Sequence, residues 1–168
     1  MNKEQLRLWL RAGAATALVD FCFASVLSVV FYKGTFERLW QGVASVPFGA
    51  RAIGGGPTWI AIGILTHIFV AFGWSLVFVL LVTRWERFRQ LLLSPWGVLK
   101  VAAIYGPFIW IMMSMVAIPI TAQRAPAAIT VRWVIQVLGH VFFVATPMAW
   151  VVRAELNRTK QGLGSRPT

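Results

Sequence analysis

Four apolar runs, each about 20 residues or longer, decide what this chain can fold into. They cover about 12–32, 59–82, 98–120 and 131–152. A helix needs about 20 apolar residues to cross the roughly 30 Å hydrocarbon core of a bilayer. Backbone polar groups in lipid must be satisfied within the segment, which a helix achieves and a lone strand does not. The runs lack period-2 alternation, which argues against a β-barrel. The expected fold is therefore all-α: an integral membrane four-helix bundle. One membrane domain spans 1–152, and a basic, solvated, disordered cytoplasmic tail covers 153–168.

Composition agrees. Apolar residues make up 58% of the 168 and charged residues 12%, against about half and about a quarter in soluble domains. That excludes an ordinary soluble domain and a disordered chain. A single cysteine, Cys22, excludes an intrachain disulfide scaffold. The formal net charge of +11 would suggest nucleic acid in a soluble protein. Here the bases flank the apolar runs, so the expected partner is the lipid bilayer and not nucleic acid.

The first run follows Lys3, Arg7 and Arg11, as a signal peptide would. It is too long for a signal core, and no small-x-small cleavage site follows, so it is kept as a span. Eleven of the sixteen Lys and Arg lie before the first run, between the second and third (with Lys100 at the edge of the third), or after the fourth. That bias places both termini in the cytoplasm of a bacterial inner membrane. Trp9, Trp59, Trp85, Trp96, Trp133 and Trp150 fall near run ends, as an interfacial belt does.

The first loop carries Phe36, Leu39, Trp40, Val43 and Val46 at helical spacing, with Thr35 placed to cap. The expectation is a short periplasmic interfacial helix over about 35–46. A re-entrant segment over the bundle mouth is the alternative. Gly54-Gly55-Gly56-Pro57 then reads as a flexible joint, with Pro57 opening the second span. No Lys-Ser/Thr follows these glycines, so a P-loop is excluded. The short second and third loops make consecutive spans antiparallel neighbours. Arg84, Arg87 and Arg89 are expected at lipid headgroups. Tyr105 is expected as an interfacial anchor, and Pro107 as a kink.

Asp20 is the only acid within a run, and His67 and His140 are the only histidines. At about 1.5 Å per residue all three fall roughly 12–18 Å deep, near the midplane. Gly13, Ala17, Asp20 and Ala24 form one small-residue face. Gly63 stands one turn before His67, and Gln136 one turn before His140. An ionisable group in a membrane points inward and needs a partner. Four readings are open for this polar centre. They are a structural lock, a proton or ion relay, bis-histidine haem b ligation by His67 and His140, and a metal or hydrolytic site using all three. No HExxH or nucleophile motif supports the last. Met112, Met113 and Met115 read as packing.

One further pattern runs through Asp20, Gln41-Gly42-Val43-Ala44-Ser45, Gly54-Gly55, Gly63-Ile64-Leu65-Thr66-His67, 113–119 and His140. From Ala12 to Val152 the chain resembles a family of small, uncharacterised four-span bacterial inner-membrane proteins. The resemblance implies the four-helix architecture and draws attention to Asp20, Gln41, His67 and His140. It implies no reaction. The expectation is a non-enzymatic membrane component with no cofactor, built on Asp20, His67 and His140, with Gln41 at the outer mouth. Haem is the alternative cofactor. Transport through so small a bundle implies a homo-oligomer or a larger membrane complex.

Overall fold

The computed structural model describes residues 2–164, with side chains to residue 158. Four helices are long and apolar enough to cross a membrane: α1 (Lys3–Phe31), α3 (Pro57–Arg84), α5 (Gly97–Ala122) and α6 (Val131–Arg158). No strand occurs among the described residues. Two shorter α-helices, α2 (Phe36–Phe48) and α4 (Glu86–Leu93), and a 3-10 turn at Ala50–Ala52 lie between them. This is an all-α four-helix bundle and a multi-pass membrane protein.

The helix starts follow from local chemistry. Asn2 caps α1 by accepting from the Gln5 N–H at 2.8 Å, and the Gln5 side chain accepts from the Asn2 N–H at 3.1 Å. This reciprocal box satisfies two donors that have no partner within the helix. Thr35 caps α2 by accepting from the Arg38 N–H at 3.1 Å, as its position predicts. Thr130 does the same for the Trp133 N–H. Pro57 sits in the first turn of α3, where its missing N–H costs nothing.

The spans are longer than the apolar runs indicate. At about 1.5 Å per residue, 28 residues reach about 42 Å, beyond the roughly 30 Å hydrocarbon core. Their polar ends therefore extend into the headgroup layers or the helices tilt. The expected disordered tail is corrected over 153–164, because the last helix continues to Gly164. Val152 is fully buried, and Glu155 pairs with Arg11 at 2.9 Å and with Arg158 at 3.8 Å, so this stretch is anchored. The remaining tail, 165–168, lies outside the described residues.

Around the bundle the spans run α3, α1, α6, α5. The small face of α1 meets α3: a Cβ at Gly13 would strike the Phe72 ring. A Cβ at Gly106 of α5 would strike the backbone of His140 and Val141 in α6. Such sites let helices approach closely in lipid, where packing rather than the hydrophobic effect drives association. The consecutive spans α3 and α5 depart from expectation. Their backbones stay apart, and large side chains bridge them. Tyr105 is buried there and donates to the Trp74 carbonyl at 2.8 Å, with its ring against Phe78. It is a bracket between two spans, not an interfacial anchor. The phenol is buried because its one donor finds an acceptor inside.

The second loop also holds a helix that the sequence reading passed over. In α4, Leu92 is buried and Phe88 packs on Phe78, while Arg87 points away. With α4 beneath it, this end of the bundle is a continuous apolar core. That core runs from Leu8 and Ala12 through Phe78, Val82, Val101 and Tyr105 to Met148 and Val152.

Candidate functional site

At the other end the packing opens. A cavity of about 240 Å³ lies between the spans. All four spans line it, with Asp20, His67 and His140 among the lining residues. Leu39, Val43 and Val46 of α2 close one side.

Each side chain is set by its own helix. His67 lies one turn beyond Gly63, and that glycine admits α2: a Cβ there would strike the Trp40 carbonyl oxygen. The buried face of α2, Trp40, Gln41 and Ala44, therefore rests on protein. The Trp40 ring stands edge-on to His67 with centroids 5.2 Å apart. The helix has the amphipathic pattern of an interfacial element, but its apolar face covers the cavity.

The Asp20 carboxylate lies 3.8 Å from His67 Nδ1, and the two side chains are 18% and 12% exposed. That separation exceeds a hydrogen bond. The other ring nitrogen, Nε2, donates to the Ala17 carbonyl at 3.4 Å. His140 Nδ1 donates to the Gln136 carbonyl at 2.7 Å. His140 also opens a π-helical segment, His140–Ala145, and similar segments occupy Leu27–Phe31 and Met112–Ala117. Single π turns widen a helix by one residue and re-aim its side chains. Just past the last segment, Thr146 donates its hydroxyl to the Val141 carbonyl at 2.8 Å.

Comparison of the chain with family models, curated proteins and solved structures gave no match. The site is therefore read from its own chemistry.

Among the described residues, no three His, Cys, Asp or Glu side chains stand close enough to hold a metal ion. Gln41 lies apart from the three cavity residues. Its Oε1 accepts from the Gly54 N–H at 2.9 Å and its Nε2 donates to the Gly56 carbonyl at 3.4 Å. Gly54 and Gly56 have φ of 75° and 83°, a backbone conformation suited to glycine. Gln41 thus holds the turn that leads into α3.

Sequence reasoning missed the tryptophans. Of nine, six fit a belt at the span ends. The other three gather here: Trp74 and Trp110 line the cavity, and Trp40 touches His67. Trp110 also lies 4.9 Å from His140 between ring centroids. The indole N–H groups of Trp40 and Trp110 are buried with no hydrogen-bond partner in the protein. Their failure to fit the belt was the available signal.

Proposed function

We propose that this is a non-enzymatic bacterial inner-membrane protein, with both termini cytoplasmic, whose Asp20, His67 and His140 form a proton-handling polar centre. The observation that carries this reading is the Asp20–His67 pair facing a cavity at 3.8 Å. With Nε2–H committed to the Ala17 carbonyl, a neutral His67 turns a lone pair from Nδ1 towards the carboxylate. Two acceptors facing each other repel, and a single proton on either relieves the conflict. The pair therefore favours holding one proton, shared as a unit. The cavity has room for several waters, which would connect the pair to His140. Ionisable groups placed on an intramembrane cavity are the usual mark of an ion path.

A structural lock is less well supported, since a lock draws its pair into hydrogen-bond contact and fills the space around it. Haem is less well supported too. The cavity is smaller than the roughly 300–1,000 Å³ that hold drug-sized ligands, and a haem is larger than most of those. A single four-span bundle has little room for a pore, so the centre works in a homo-oligomer or a larger complex.

The test is proton flux into liposomes under an imposed gradient. Wild-type protein should exceed protein-free liposomes, and Asp20→Asn should lower the rate about tenfold with helicity unchanged. Equal flux in wild type and Asp20→Asn refutes the relay. A Soret band lost on His67→Ala and His140→Ala would instead establish the haem reading.

A further inference from the structure

The cavity contains more than a proton needs. Its walls are mainly aliphatic side chains and the indoles of Trp74 and Trp110, with Thr16, Thr66, Gln136 and the two histidines as polar groups, and its one acid is Asp20. No lysine or arginine lines it. The Trp74 indole packs edge-on against the Tyr105 and Phe108 rings, with centroids 6.4 and 5.9 Å apart. Ligand sites are typically apolar hollows with a few placed polar groups. Here that group is a carboxylate, and the hollow is aliphatic with two indoles.

We infer that the cavity binds a small monovalent organic cation, an amine or a quaternary ammonium with short alkyl arms. The inference rests on the proton-handling reading of the same pair. A cation held near an indole face gains from the ring quadrupole, more so where water is excluded. Its alkyl groups suit Val70, Ala71 and Val144 in the wall. A hard metal cation is a poor occupant, since it needs about six oxygen ligands, and beside the Asp20 carboxylate the lining offers only the side-chain oxygens of Thr16, Thr66 and Gln136. An anion would face Asp20 with no lysine or arginine to offset it. The cation takes the place of the proton held by Asp20 and His67. One positive charge enters as one proton leaves, and the net charge of the site is unchanged. Cation and proton therefore compete for the same carboxylate.

The test uses tetraethylammonium, titrated into the full chain in mild detergent at pH 7 and low buffering. Tryptophan fluorescence and a pH dye are read together. The expected result is saturable fluorescence change with about one proton released per cation bound, and no response to sodium at the same ionic strength. Asp20→Asn should abolish both signals, and Trp110→Leu should weaken binding about tenfold. If Asp20→Asn does not fold, Trp110→Leu decides alone, and unchanged affinity overturns the inference. Binding that survives intact in a folded Asp20→Asn also overturns it. Asp20-dependent proton flux without tetraethylammonium binding overturns the cation and leaves the relay standing. Loss of Asp20 dependence in both assays removes the two together.

Discussion

The two ends of the bundle are built on opposite plans. The end that carries Leu8, Phe78, Leu92 and Val152 has an apolar centre that is almost wholly buried, with a polar hollow at its rim lined by Lys3, Arg7, Arg89 and Glu155. The end that carries Asp20, His67 and His140 encloses a cavity. Of the three π-helical segments among the described residues, Leu27–Phe31 and Met112–Ala117 lie in the cavity half of their spans, while His140–Ala145 starts at the cavity and runs into the packed half. Interrupted helices cost regular hydrogen bonding, and they persist where neighbours fix them. Gly106 marks the border: it brings α5 against the backbone of His140–Val141, where the last π segment begins. The difference teaches that one end holds the chain together and leaves the other free to carry polar groups that a packed core would exclude.

Substitutions should separate the two ends. Phe78→Ala removes a fully buried ring at the apolar end. It should cost about 3–5 kcal/mol in reversible unfolding from mixed micelles. A cost below about 1 kcal/mol would erase the contrast. At the border, Gly106→Val meets rigid backbone. It should cost about 1–3 kcal/mol and lower the thermal midpoint in detergent. Tyr105→Phe removes only the bond to the Trp74 carbonyl. About 1 kcal/mol is expected, read as a shift in the same thermal scan. At the cavity end the sign changes. Asp20→Asn should leave stability within about 1 kcal/mol or raise it, because the amide N–H can donate to the His67 Nδ1 lone pair that the carboxylate repels, while the flux signal falls. Equal losses of stability and flux would turn the centre back into a lock. The smallest effect belongs to the half-exposed Arg11–Glu155 pair. Arg11→Gln should change stability by less than about 1 kcal/mol in chemical denaturation at physiological salt.

Much of the fold was legible because a bilayer imposes a simple length requirement. Each apolar run matches one long helix, the first to within one residue, and Thr35 and Pro57 begin their helices where local chemistry puts them. What was not legible depends on neighbours. The helix Glu86–Leu93 is too short to stand out against a basic loop, and Leu92 shows its purpose only beneath Phe78 and Val101. Tyr105 is buried because Trp74 offers a carbonyl across the bundle, which no local pattern encodes. The π segments arise in ordinary apolar sequence. At the site, the shared depth of Asp20, His67 and His140 could be counted along the chain. Whether they share a cavity depends on helix rotation, which the sequence leaves open. The indole walls became visible only with the fold.

The contact between α2 and α3 also sets a register. The Trp40 backbone fills the notch at Gly63 while its ring rests on His67, one turn further along. Two teeth one helical pitch apart resist sliding in either direction. A one-residue slip would turn Leu39, Val43 and Val46 away from the cavity, since successive helical positions are about a quarter-turn apart. With Gln41 tied to Gly54 and Gly56 as well, the cavity keeps Leu39, Val43 and Val46 as its ceiling.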